Sequence, residues 1–368
     1  MEQPNWITLY KETENKIKDN LPVEEKEIFA KYNENESAFL PKTEFNSYTS
    51  GRIILENANS DGIDIKPLLE INNKPSEFDR FLDKDRIQAF INSRLNDGLV
   101  IKIRDNIDIK TPLKIKYNAT DNTASKIFIT VGRNSRIKIV FEVSGAHNVY
   151  SGLNIDVISE EDSSSDLTII DCSKGVGITN YNLITKGNIN VMDLAINESF
   201  TRKRLWINLF EHSEVNIKQA VIGNDNSYFD IESEINHIEK NTKSNVMYKS
   251  ALGGKAKSVY KGVIRQGDNA YNSYTYLSES SLLLSKDAKN ISVPSLEIEN
   301  NELKAYHSAS SEPVNKNALF YLMSRGLEKE EATKVITIGF MSQFLNENDT
   351  GYEPIKEAIY KKLDLMTY

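Results

Sequence analysis

The 368-residue sequence predicts a mainly β protein in which a long run of short strands, coiled as a β-solenoid, is flanked by helical regions at both ends. Three observations carry this. Apolar residues recur at i+3 and i+4 up to about residue 97, they alternate with polar ones from about 99 to 306, and the helical period returns after Pro313. With 39% hydrophobic and 27% charged residues the chain can bury a large core, and it is longer than most single compact domains. The expected units are residues 1–97, 98–306 and 307–368.

The first unit reads as helices and irregular connections. Trp6, Leu9, Tyr10 and Ile17 sit at helical spacing, and Ser76 is placed to cap a segment running towards Leu95. Phe78, Phe81, Leu82, Ile87, Phe90, Ile91 and Leu95 form one apolar stripe along that segment, as an amphipathic helix docked on a larger body requires. Asn96, Asp97 and Gly98 stop it.

The second unit alternates. Ile101–Ile103, Leu113–Ile115, Ile127–Ile129, Ile137–Ile139, Ile155–Val157 and Leu167–Ile169 are followed by Val191–Ile196, Leu205–Ile207, Val215–Ile217, Phe229–Ile231, Val246–Tyr248 and Val259–Val263. Small polar turns introduce many of them, among them Asn134-Ser135, His212-Ser213 and Asn226-Ser227. No helical pattern separates the strands, which excludes a doubly wound fold, and no propeller repeat near 40 residues is visible. A coiled solenoid fits best and a large sandwich second, since both bury one face of each strand.

In the third unit Leu319, Phe320, Leu322 and Met323 mark a short helix ending at Arg325-Gly326. A second helix is expected from about Glu328 to Leu345 and a third over Pro354–Leu365. Stacked repeats need covered ends, so capping and partner docking are both compatible with this region.

The formal charge of −8 opposes attraction to phosphate backbones or anionic lipid, so neither nucleic acid nor membrane is expected as a partner. No apolar run approaches the ~20 residues that cross a bilayer, and Met1–Tyr10 is polar, which together predict a cytoplasmic protein. One cysteine, Cys172, excludes an internal disulfide and any cysteine-rich metal or cluster site built from this chain alone. Its place at the end of the apolar run Leu167–Asp171 reads as a small core residue.

Few motifs carry chemistry. Gly253–Ser258 lacks the leading Gly of a phosphate-binding loop and has Ala256 where the metal-binding hydroxyl is needed; Gly175-Val-Gly177 lacks its third Gly. Both read as turns between strands. Asp225, Asp230, Glu232 and Glu234 are the carboxylates that a carbohydrate-active solenoid would gather, though alternation makes the last three equally a solvated outer face. His147, His212 and His237 lie in polar, turn-like surroundings; His307 stands where the last strand is expected to give way to helix, and a neutral imidazole there is a good iron ligand.

Pro294–Ile298, Ala305–Ser310, Leu319–Gly326, Glu330–Ala332 and Ile338–Phe340, with Arg86–Gly98 and Pro112 upstream and Tyr260–Gly262 and Leu282–Leu284 between, resemble the SufB/SufD family of iron–sulfur cluster assembly scaffolds. The block Phe320-Tyr-Leu-Met-Ser-Arg-Gly326 is its specific part. The resemblance implies a right-handed parallel β-helix between helical regions, acting as a non-catalytic subunit. It implies docking of the SufC ATPase on the C-terminal helices through Phe320, Tyr321, Arg325 and Gly326, and pairing of the β-helix with a SufB-type paralogue or with itself. It also assigns His307 as an iron or cluster ligand at the interface between paired chains.

The departures make the chain SufD-like. Ile298 occupies the position at which SufB carries cysteine, and Ser308-Ala309-Ser310 replaces the Gly-Ala-Thr that follows the family histidine. With one sulfur ligand at most, the monomer is expected to bind no cofactor stably, leaving a transient iron–sulfur cluster at the interface whose cysteine a partner supplies.

Overall fold

The computed structural model describes residues 5–20, 45, 52–81, 85–345, 347 and 349–366. In chain order it has helix α1 (Asn5–Asn20), strands β1 (Ile53–Glu56) and β2 (Ile63–Pro67), two 3₁₀ turns (Leu68–Glu70 and Ser76–Arg80), and helix α2 (Arg86–Ser93). Eight coils follow, each of two strands: β3 (Asp97–Ile103) and β4 (Leu113–Ala119); β5 (Thr123–Val131) and β6 (Arg136–Gly145); β7 (Tyr150–Ser159) and β8 (Ser164–Asp171); β9 (Val176–Thr185) and β10 (Asn188–Ala195). The remaining coils are β11 (Phe200–Leu209) and β12 (Glu214–Gly223); β13 (Tyr228–His237) and β14 (Lys243–Leu252); β15 (Lys257–Gln266) and β16 (Ser273–Leu283); β17 (Lys289–Ile298) and β18 (Leu303–Pro313). Three helices close the chain: α3 (Lys316–Ser324), α4 (Lys329–Ser342) and α5 (Tyr352–Asp364).

From β3 onward odd-numbered strands stack in one sheet and even-numbered strands in the other, with β2 added to the odd sheet and β1 to the even one, in the orders β17-β15-β13-β11-β9-β7-β5-β3-β2 and β1-β4-β6-β8-β10-β12-β14-β16-β18. All coil-to-coil pairings are parallel; only β1 on β4 and β2 on β3 are antiparallel. The protein is therefore a β-solenoid, not a sandwich. Its corners need a residue with positive φ, and short polar side chains that tolerate that region supply it: Asn106, Asn134, Asn148, Asp162, His212, Asp225, Asn241 and Asn272. Some also form ladders, with Asn134 Nδ2 donating to Asn106 Oδ1 at 3.0 Å.

The residues that alternate in the sequence fill the space between the sheets. Ile101, Ile115, Ile129, Ile139, Ile155, Leu167, Val191, Ile217, Val246 and Leu277 belong to one continuous buried cluster. Each such side chain stabilises the fold by roughly 1.5–3 kcal/mol through burial. The outer faces are also covered. The even sheet's outer Ile170, Met192, Leu194, Ala220, Ile222 and Ala251 pack on Met341 and Phe344 of the α4 end and on Ile355, Ile359 and Leu363 of α5. On the odd sheet, Ile87, Phe90 and Ile91 of α2 cover Ala124, Tyr150, Ile178, Tyr228 and Val259.

Three local readings change. The segment expected as one helix from Ser76 towards Leu95 is a 3₁₀ turn followed by α2, which begins only where the Asp85 carboxylate accepts the Ile87 N–H at 2.6 Å; Leu82 of the expected stripe lies outside the described residues. The stretch before residue 97 also holds β1 and β2, which continue the two sheets. At the other end β18 runs on to Pro313, so His307 sits inside a strand and not at a strand-to-helix junction. The helices expected over 328–345 and 354–365 form at Lys329–Ser342 and Tyr352–Asp364. No helix among the described residues is long and apolar enough to cross a membrane.

Candidate functional site

The two ends of the solenoid differ. The first coil is extended by the short antiparallel strands β1 and β2, whereas β17 and β18 each have a neighbour on one side only. β17 is half-buried and β18 is largely exposed, so the last coil presents an open mouth between the two sheets.

His307 stands in that mouth. It pairs in register with Leu277, which pairs with Val246, which pairs with Ile217. All three are buried in the inter-sheet core. Parallel strands in register keep side chains of one row on one face, so the His307 side chain continues the core row and is exposed because no coil lies beyond it. Ala305, Ala309 and Ser311 share its inner row, in register with buried Thr275, Glu279 and Ser281. On β17 the inner row is Ser292, Pro294, Leu296 and Ile298, in register with Tyr260, Gly262, Ile264 and Gln266. Ile298 therefore belongs to the same mouth as His307. Gly262 is required beneath them, since a Cβ there would meet Leu277 Cδ2 at 2.7 Å.

The floor of the mouth is polar, which the sequence reading missed. Glu279 is 2% exposed on the inner row of β16 and accepts hydrogen bonds from Ser292 Oγ and, at 3.4 Å, from Asn290 Nδ2. Burial pushes its carboxyl up to about 7, against the pull of those two donors. Beside it Tyr248 and Tyr260 stack at 4.1 Å, with the Tyr248 hydroxyl 2.6 Å from Ser258 Oγ. The only signal for Glu279 in the sequence is its phase with Leu277, and the outward Tyr274 and Tyr276 of the same strand mask that phase by reversing the usual apolar-in pattern.

A second exposed surface lies on α3. Asn315 caps it by accepting the Asn317 N–H at 2.9 Å and the Ala318 N–H at 3.1 Å. It ends when Gly326, at φ +98, donates to Met323 O while the Leu327 N–H reaches back to Leu322 O. The helix buries no residue: Phe320 is 74% and Tyr321 57% exposed, and the Arg325 guanidinium lies 5.3 Å from the Tyr321 ring centroid. Phe320, Tyr321 and Arg325 thus share an exposed helix end whose turn Gly326 shapes. This helix follows directly on β18, the strand that carries His307.

Other candidates resolve into structure. Asp230 and Glu234 are buried on the outer face of the odd sheet, neither solvated nor available to a sugar, and Glu232 is nearly so: Arg202, Arg204 and Arg265 neutralise them at 3.6–4.0 Å, and Trp206 Nε1 donates to Glu234 at 3.0 Å. Asp225 is a corner residue. Gly253-Gly254 and Gly175–Gly177 lie at the β14–β15 corner and the entry to β9, away from any helix N-terminus. Cys172 is exposed, not a core residue, because the alternation that buries Leu167, Ile169 and Asp171 carries the next residue to the outer face. Protein atoms crowding its sulfur, then the Asp171 carboxylate, push its thiol up to about 11, which makes it a poor thiolate near neutrality. His147 and His212 are exposed, but His237 is buried, with Nδ1 2.7 Å from Thr242 Oγ1 and Nε2 2.9 Å from Ser244 Oγ. Among the described residues no group of three or more His, Cys, Asp or Glu side chains is placed to hold a metal ion.

The family profile described as "SUF system FeS cluster assembly, SufBD core domain" matches residues 115–340, which takes in the mouth and most of the C-terminal surface. An iron-sulfur cluster assembly SufBD family protein of Staphylococcus epidermidis is 24% identical over 283 residues, covering 72% of this chain and 59% of the relative. One from Staphylococcus saprophyticus subsp. saprophyticus is 24% identical over 286 residues (73% and 60%), and one from Porphyra purpurea is 28% identical over 137 residues (37% and 28%). The matched region thus spans about three fifths of the length of the two staphylococcal relatives. The profile covers well over half of the chain, and the solenoid is the body it describes: this chain belongs to the SufBD family of iron–sulfur cluster assembly proteins.

Proposed function

We propose that the chain is a SufD-like scaffold subunit of a SUF-type assembly complex, working in the cytoplasm and catalysing nothing alone. The observation that carries this reading is His307 at the free end of an otherwise apolar inner row, in a mouth that stands open among the described residues. In this reading the mouth joins that of a SufB-type paralogue or a second copy. His307 then offers an imidazole to iron or a nascent cluster held as cargo between the chains. The monomer holds no cluster stably, because Ile298 brings no sulfur to the mouth and Cys172 lies outside it.

The exposed Phe320, Tyr321 and Arg325 end of α3 serves as the dock for a SufC-type ATPase, with Gly326 fixing its turn. Because β18 leads straight into α3, movement of a docked ATPase reaches the strand that bears His307. The test is a pull-down and size-exclusion comparison of wild type and Arg325→Glu, mixed with a SufC-type ATPase with and without a SufB-type paralogue. A complex lost on that substitution supports the reading; no association in any combination overturns it. A purely structural pairing role predicts that His307→Ala complements a deletion fully, whereas the proposed role predicts loss of cluster delivery with the complex intact.

A further inference from the structure

We infer that α1 is a latch on the outer face of the odd sheet, held down while Glu14 carries a proton and let go as Glu14 ionises. Two buried carboxylates there face a single cation.

The sequence of α1 sets its docking face. Trp6, Ile7, Tyr10 and Glu14 recur at i+3 and i+4, which puts them on one stripe. Ile7 is fully buried, and Trp6 Nε1 donates to Ile71 O at 2.6 Å. The Trp6 and Tyr10 rings lie against Phe78, with centroids 6.0 and 6.2 Å away, and Phe78 rests on Phe128 of β5 at 4.7 Å. Aromatic packing therefore seats the first two turns of the helix. The next turn carries a carboxyl group inward.

Glu14 is 6% exposed. The cation nearest in effect is Lys126 of β5, itself buried and already paired with the fully buried Asp156 of β7, which also accepts from Asn182 Nδ2 at 2.7 Å. The Lys126 ammonium lies 5.2 and 5.8 Å from the Phe78 and Tyr10 ring centroids, so rings take up its remaining faces. Asn92 of α2 accepts from Asn154 Nδ2 at 2.8 Å, which leaves its own amide N–H groups for Glu14, and the Tyr10 hydroxyl is the second donor. Glu14 Oε2 has no hydrogen-bond partner among the described residues. Ionised, Glu14 would add a negative charge where the one cation is already neutralised; protonated, it adds none.

The other charged groups at this interface are Lys11, near Arg94, Lys18, paired with Asp19 at 3.3 Å, and Lys74, 5.5 Å from the Tyr10 ring centroid. Glu12 and Lys16 lie on the exposed side of the helix. Burial, helped by Asp156, pushes the Glu14 carboxyl up to about 7 against the pull of Lys126, Tyr10 and Asn92. On release the carboxyl returns to about 4.5, so the docked helix loses stability as pH rises from about 4.5 through about 7. The ratio of released to docked helix then rises about tenfold between about pH 6 and 8. Release uncovers Phe78 and Phe128 around the Lys126–Asp156 pair and leaves the inter-sheet core, to which α1 contributes nothing, intact.

Hydrogen exchange of the full chain, read by mass spectrometry on peptides from α1 and from β12 and corrected for intrinsic exchange rates, tests the latch. In wild type α1 is expected to open about ten times more at pH 8 than at pH 6, with β12 unchanged. Glu14→Gln keeps the shape without the charge, so it should stay docked at pH 8 and show no pH response; a carboxylate with a structural role alone would leave this variant looser than wild type at both pH values. Asp156→Asn returns Lys126 to Glu14 and should flatten the response. Equal protection of α1 at both pH values in wild type, or a wild-type response in Glu14→Gln, overturns the latch. An unchanged response in Asp156→Asn overturns the shared lysine as its cause.

Discussion

Asp85 and Arg202 meet at 2.8 Å beneath α2, with side chains only 2% and 3% exposed. The same carboxylate pairs with Arg204 at 3.2 Å and caps α2 through the Ile87 N–H. Burial opposes its ionisation, but the two guanidiniums and the backbone donor outweigh it and hold its pKa well below the ordinary carboxylate range. Asp85→Ala removes the cap and leaves two buried cations short of a partner, so it should cost about 3–5 kcal/mol. Asp85→Asn keeps the cap and should cost less. Thermal unfolding of the two variants, with proteolysis reporting on release of α2, checks the order.

His237 gives the acid response a defined sign. Burial lowers its pKa to about 4, so between about pH 6.5 and 4 the unfolded chain binds a proton that the folded chain refuses. The folded state therefore loses stability as pH falls through that window, by about 3 kcal/mol in full. His237→Gln keeps hydrogen bonding to Thr242 and Ser244 without titrating. The difference between wild-type and variant melting curves should open below pH 6.5 and be flat above it; a constant difference would refute the assignment.

Glu279 acts in the opposite sense. Its folded pKa of about 7 lies above that of the unfolded chain, so stability is lost as pH rises from about 4.5 to 7. Glu279→Gln should melt higher than wild type at pH 8, by up to about 3 kcal/mol, and equal it near pH 4.5. Parallel melts at the two pH values decide it.

At α3 stability and docking should separate. Phe320→Ala changes an exposed side chain and should move stability by no more than about 0.5 kcal/mol while weakening ATPase capture. Gly326→Ala has open space for its Cβ but must hold φ +98, so it should cost about 1 kcal/mol and fray the helix end. Helix content by circular dichroism and binding measured side by side test both.

The sequence by itself determined the class of the fold, because alternation through Ile101, Ile129, Val191 and Leu277 is what a strand buried on its inner face demands, and the helical stripes of α2 and α5 demand a surface to cover. The resemblance to the family was legible there too, and the family profile matches residues 115–340. Only the tertiary structure decided where those residues stand. Register, not composition, puts His307 on the inner row above Leu277; a slip of one residue would have turned it outward. Coil closure likewise brought Glu279 beneath the mouth and set Arg202 against Asp85 far along the chain, and it turned Asp230 and Glu234 from an apparent solvated face into buried ion pairs. These outcomes depend on which coil lies beside which, a long-range pairing that local periodicity does not encode.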